Sequence, residues 1–109
     1  MDAFEISELL EKRKRAGRVW MEFFRVPALS AGIYRLREGS SDPQQPHTED
    51  EIYYVVQGRA QIRVGSEDRA VKPGTLIFIP ANTEHRFHAI TEDLVVLVFF
   101  APAEGSKAS

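Results

Sequence analysis

The sequence predicts an all-β protein, two packed sheets closed as a sandwich or barrel, led in by one short helix. Short β-rich segments follow one another from Val19 to Phe100, turn residues punctuate them at regular intervals, and no helical period recurs after Gly17. Successive strands without intervening helices build sandwiches and barrels.

The helix is expected over residues 4–15. Phe4, Ile6, Leu9 and Leu10 fall on roughly one face there, Glu8/Lys12 and Glu11/Arg15 pair at i,i+4, and Gly17 stands just past the end. Its Lys12-Arg13-Lys14-Arg15 run reads as a solvated face, because acids in the same segment offset it. Eight strands follow: Val19–Val26, Ala31–Arg37, Ile52–Gln57, Ala60–Val64, Arg69–Val71, Thr75–Ile79, Arg86–Ile90 and Leu94–Phe100. Between them stand turn sequences such as Glu38-Gly39-Ser40-Ser41-Asp42-Pro43, Gln57-Gly58-Arg59, Lys72-Pro73-Gly74 and Thr91-Glu92-Asp93. The chain therefore divides into a helical segment (1–17), one barrel domain (18–102) and a small, polar tail (103–109) expected to fray.

With 109 residues, the chain has room for one core, and its 43% hydrophobic and 28% charged residues are those of a globular protein. No cysteine is present, which removes disulfides, thiolate metal sites and a cysteine nucleophile. Lys plus Arg is 14 against Asp plus Glu 16, so nucleic acid is not an expected partner. The longest apolar stretch, Leu94 to Pro102, is strand-sized, and acids occupy the N-terminus. A soluble, cytoplasmic protein without a membrane partner is expected.

Any imidazole chemistry must come from His47, His85 and His88. His47 and Glu51 share strand parity and project to one side, and if the His85 strand is a neighbour, two imidazoles and a carboxylate converge. Such a set holds one divalent first-row metal with positions left open. Gln45 shares the parity and adds an amide oxygen. His88, three residues after His85, points to the opposite face unless a bulge intervenes. Glu49 and Asp50 read as a solvated acidic rim.

Taken in order, Gly39-x5-Gln45-x-His47-x3-Glu51-x6-Gly58 and Gly74-x5-Pro80-x-Asn82-x2-His85-x3-Ala89 resemble the two signature motifs of the cupin superfamily, with every spacing kept. The resemblance implies a double-stranded β-helix, or jelly-roll barrel, with a divalent metal near its mouth held by His47, Glu51 and His85. Three positions depart from the pattern. Asn82 replaces a glycine, and asparagine tolerates the positive φ of a tight turn. Ala89 replaces an asparagine. Gln45 replaces the first histidine, and it either ligates through its oxygen, the reading adopted, or hydrogen-bonds a metal-bound water. An oxygen-rich set favours iron or manganese over zinc, nickel or copper.

By parity Tyr53, Val55, Phe87 and Ala89 line the interior as a substrate pocket, and either Ile77 and Ile79 or Leu76 and Phe78 complete it. Tyr53 serves as wall or as proton donor, and with Glu51 it forms the candidate catalytic pair. Arg35, Arg37, Gln61 and Arg63 would anchor an anionic substrate if they faced inward, but the arginines are expected outside. Trp20, Phe23, Phe24 and Leu94–Phe100 carry more apolar surface than a small monomer hides, and a homodimer is what the resemblance implies for it. The expected function is that of a metal-dependent enzyme, of dioxygenase, isomerase or lyase type, acting on a small and partly apolar molecule. The alternative is a non-catalytic module that binds a small ligand.

Overall fold

A helix and six strands make up the described residues, 1–43 and 46–106, of the computed structural model. The helix α1 (Ile6–Ala16) precedes β1 (Trp20–Val26), β2 (Leu29–Leu36), β3 (Asp50–Val64), β4 (Glu67–Val71), β5 (Leu76–Ile79) and β6 (His85–Ala101). The strands are antiparallel in the order β1-β2-β6-β3-β4, with β5 paired to the other edge of β3, and the sheet curls into a double-stranded β-helix.

Eight predicted strands become six because two predicted turns are bends inside long strands. The strand β3 runs through Gln57-Gly58-Arg59 and β6 through Thr91-Glu92-Asp93, and the pairing between them slips at Val55/Gln57, Gln57/Arg59 and Arg59/Gln61. Together the slips reverse the inward parity once in each strand. In β3 the buried set passes from Glu51, Tyr53 and Val55 to Ala60 and Ile62; in β6 it passes from His85 and Phe87 to Ile90, Leu94, Val96, Val98 and Phe100. Gly58 is the pivot on one side, with φ +96° and no room for a β-carbon, which would meet the backbone of Asp93 and Leu94.

Two apolar cores result. The interior of the barrel holds Tyr34, Tyr53, Val55, Ile62, Ile79, Phe87, Leu94, Val96 and Phe100. On the outside, Leu9 of α1 packs on Met21, Ile33, Val95 and Leu97, with Leu10 and Phe23 against them. The second half of β6 is thus apolar on both faces because one lines the barrel and the other lies under the helix. Apolar surface assigned by sequence to a second copy is covered here by α1, and Phe4, outside the helix, caps Phe23 and Phe24 with ring centroids at 5.1 and 5.9 Å. The helix ends at Gly17 (φ 66°), whose N–H bonds to the Arg13 and Lys14 carbonyls. Arg13 departs from the expected solvated face: it is buried and its Nη1 donates to the Arg18 carbonyl at 3.1 Å. No helix among the described residues is long and apolar enough to cross a membrane.

One buried polar link ties the barrel end that carries the candidate site. Asp42, in the loop after β2, accepts the Tyr34 hydroxyl at 2.7 Å and the Phe87 N–H at 2.9 Å. Burial and the Asp42 carboxylate both push the Tyr34 phenol up, so it stays protonated. Tyr34→Phe is expected to lower stability by about 2 kcal/mol, the scale of a hydrogen bond to a buried charged acceptor. Urea denaturation reads this, and an unshifted midpoint would exclude a stabilising role for that bond.

Candidate metal centre

Three elements bring the ligands together. His47 stands in the segment that leads into β3, Glu51 is the second residue of β3, and His85 begins β6. The Glu51 side chain lies between the imidazoles, its Oε1 3.2 Å from His47 Nδ1 and 2.9 Å from His85 Nε2. One ligand atom from each residue falls within 4.8 Å of the others, and Glu51 and His85 are buried.

Local structure holds each ring. The Pro80–Thr83 turn, with Asn82 at φ 61°, is stitched to the His47 segment by the Asn82 N–H on the His47 carbonyl and by the Ala81 N–H on Asp50 Oδ1, at 2.6 and 2.8 Å. The same turn presents the Thr83 carbonyl to His85 Nδ1 at 2.8 Å; a carbonyl can only accept, so Nδ1 carries the hydrogen of that bond and Nε2 is the nitrogen turned to Glu51. His47 packs beside Phe100, ring centroids 4.9 Å apart, and its Nε2 lies 3.4 Å from Glu104 Oε2.

The donor set fits a cation. His47 Nδ1, the Glu51 carboxylate and His85 Nε2 are buried and turned toward one another rather than toward water, an arrangement that costs free energy unless a proton or another positive charge is shared among them. The electrostatics agree. Glu104 and then Glu51 raise the His47 ring to about 9 against the effect of burial. Burial pushes His85 down, but Glu51 and the Thr83 carbonyl outweigh it and the net shift is up. Burial pushes Glu51 up, and the two imidazoles overcome it, leaving the carboxyl below its ordinary value. Ring protons and a divalent ion thus compete for the same negative pocket.

The other predicted residues are distributed as follows. Tyr53 is fully buried under the ligands, its ring 5.9 Å from His85 and stacked at 5.2 Å on Phe87, and burial followed by the Glu51 charge drives its phenol well above the ordinary value. Val55 and Phe87 are fully buried in the same filled core, with Ile79 and the partly buried Ile77, while Leu76 and Phe78 face out. Ala89 does not line the interior. It sits at φ 47° with its side chain exposed, because the bulge that changes parity in β6 falls on it and Ile90 takes the inward place. Gln45 lies outside the described residues. Arg35 pairs with Asp93 at 3.1 Å, and Arg37 and Arg63 are exposed.

His88 points away from the ligands and meets Asp68 at 3.0 Å on the outer face. His88→Ala is therefore expected to leave bound metal unchanged by elemental analysis; a drop would place the ring in the site.

Two expectations are corrected by the chain after β6. Glu49 is not a solvated rim residue but is 2% exposed, and its Oε1 accepts the Gly105 N–H at 3.0 Å. Residues 103–106, expected as a tail apart from the barrel, lie against it: Ala103 is buried and the Glu104 N–H donates to Ser30 Oγ at 2.8 Å. The open side of the site is a cleft of about 320 Å³ lined by Trp20, Tyr34, Pro43, His47, Phe100 and Glu104 with Val98. Parity arguments from His47 and His85 had no means of finding it, since Trp20 of β1, Tyr34 of β2 and Glu104 of the tail belong to its wall. A larger cleft between α1 and β2, lined by Arg13, Arg18 and Arg37, shares only Pro43 with this one.

Residues 32–100 match the family of Cupin domains. The chain is 44% identical over 104 residues to an uncharacterized protein of Streptomyces coelicolor, covering 95% of this chain and 99% of that one. It is 30% identical over 100 residues to acireductone dioxygenase 2 of Arabidopsis thaliana, covering 86% of this chain but only 52%, about half, of that relative. Among solved structures it is similar to KdgF from Halomonas sp., with a TM-score of 0.69 at 28% identity over 76% of this chain and 78% of that one.

Proposed function

Since the chain belongs to the cupin family, we propose that it is a metal-dependent enzyme acting on a small, partly apolar molecule in the cleft beside His47. The observation that carries this reading is the convergence of His47, Glu51 and His85, one ligand atom from each within 4.8 Å of the others, with Glu51 and His85 buried. A divalent ion held there supplies Lewis acidity and, as iron or manganese, access to dioxygen chemistry. Similarity to a dioxygenase over about half of that protein's length supports the oxygen-using form over an isomerase or lyase.

The chain's own residues set the terms for a ligand. Trp20, Val98 and Phe100 wall the cleft with apolar surface and exclude water. His85 is locked in one tautomer by Thr83, and the buried Tyr53 phenol keeps its proton next to Glu51. A second copy of the chain is proposed to pack on the outer face of β3 and β5. Ile52 faces Phe78 and Tyr54 faces Leu76 across the strands there, and all four are exposed. Sedimentation showing only a 12.3 kDa species would exclude such a dimer.

The test is elemental analysis of protein purified without added metal, joined to oxygen-uptake screening against small aromatic diols and thiols. Stoichiometric iron or manganese with uptake is the expected result. Metal without turnover of any substrate class would instead favour a binding module, and no metal under gentle preparation would overturn the site.

A further inference from the structure

We propose that residues 102–106 form a strap that completes the metal centre, with the Glu104 carboxylate as the positioning group for His47. The inference rests on the metal reading above and adds to it a residue from outside both sequence motifs.

The strap is built in. The Ala103 N–H donates to the Pro27 carbonyl at 3.2 Å, the Glu104 N–H to Ser30 Oγ at 2.8 Å and the Gly105 N–H to Glu49 Oε1 at 3.0 Å, while Arg25 Nη2 donates to the Glu104 carbonyl at 2.7 Å. Ser30 and Glu49 are buried, at 0% and 2% exposure. Burying a carboxylate is costly unless it is satisfied, and Glu49 meets that need partly by holding the strap and partly through the Thr48 hydroxyl.

What the strap delivers is an acceptor on the outer side of His47. Glu104 Oε2 lies 3.4 Å from Nε2, while Nδ1 of the same ring faces Glu51. An imidazole that donates from one nitrogen presents a lone pair at the other, and carboxylates in this position orient metal-binding histidines and raise their basicity. His85 is held in the same way by the Thr83 carbonyl. Both rings are therefore backed by an acceptor, one from the turn before β6 and one from the strap after it. Glu104 also stands in the wall of the cleft beside His47.

Mn(II) affinity by calorimetric titration, and the visible spectrum of the Co(II)-substituted protein, would be compared in wild type, Glu104→Ala, Glu104→Asp and Ser30→Ala, with metal-free melting as the folding control. The expected result is a loss of about 10- to 100-fold in Mn(II) affinity for Glu104→Ala. An altered Co(II) spectrum and partial recovery of both readouts in Glu104→Asp should accompany it, with a smaller loss in Ser30→Ala. Should Glu104→Ala not fold, the isosteric Glu104→Gln carries the same comparison. Wild-type affinity and spectrum in a folded Glu104 variant would overturn the strap alone. Absence of Mn(II) binding in wild type, with Glu51→Ala indistinguishable from it, would overturn the metal reading and this proposal with it.

Discussion

Glu51→Ala is expected to emerge from a desalting column with only trace metal where wild type retains its ion. Glu51 is the one carboxylate of the ligand group and stands between the two rings, 3.2 Å from one and 2.9 Å from the other. Its loss takes away the one carboxylate of that group and one of its three candidate ligands. Removing a group that merely orients a ligand costs about 10- to 100-fold in affinity, so removal of this ligand should cost at least about 100-fold. The metal-to-protein ratio by elemental analysis is the readout. Equal ratios in the two proteins would show that Glu51 holds no ion.

The largest effect on stability is expected at Gly58→Ala. A β-carbon built there would lie 2.3 Å from the Asp93 carbonyl oxygen and 2.8 Å from the Leu94 α-carbon, both backbone atoms of β6, and φ is +96°. Strain of that conformation costs a non-glycine residue about 1–3 kcal/mol, and forcing apart two packed strands adds about 1–3 kcal/mol. The expected loss is about 4 kcal/mol, seen as a lower urea midpoint. Gly74 has the same φ but no atom within 4 Å of its would-be β-carbon, so Gly74→Ala should show only the conformational part, about 1–3 kcal/mol. Equal losses at both positions would mean that the close approach at Gly58 contributes nothing.

These two sites also mark how far the sequence could be read. His47, Glu51 and His85 were legible because strand alternation and motif spacing act on short pieces of chain, and each piece stays regular up to the bends. Gly58 is ambiguous in sequence, since glycine between apolar runs serves turns and bulges alike; only the pairing of β3 with β6 decides between them. Ala89 misled for the same reason. Nothing in its identity announces a positive φ, so alternation was carried one residue too far. The strap left no trace in the pattern at all. Ala103, Glu104 and Gly105 are held through backbone N–H groups, which every sequence has, and their acceptors lie at Pro27, Ser30 and Glu49. The burial of Glu49 becomes intelligible only once that partner is known.

The pairing of β3 with β6 runs from Asp50↔Ala101 at one end to Val64↔His85 at the other, and this has a consequence in time as well as in space. While the chain is being made, His47 and Glu51 leave the ribosome long before the strand that must lie beside them, and His85 has no fixed place until β6 has zipped along β3. Such distant pairing forms slowly. The nascent chain therefore holds no finished cation pocket until β6 has paired with β3.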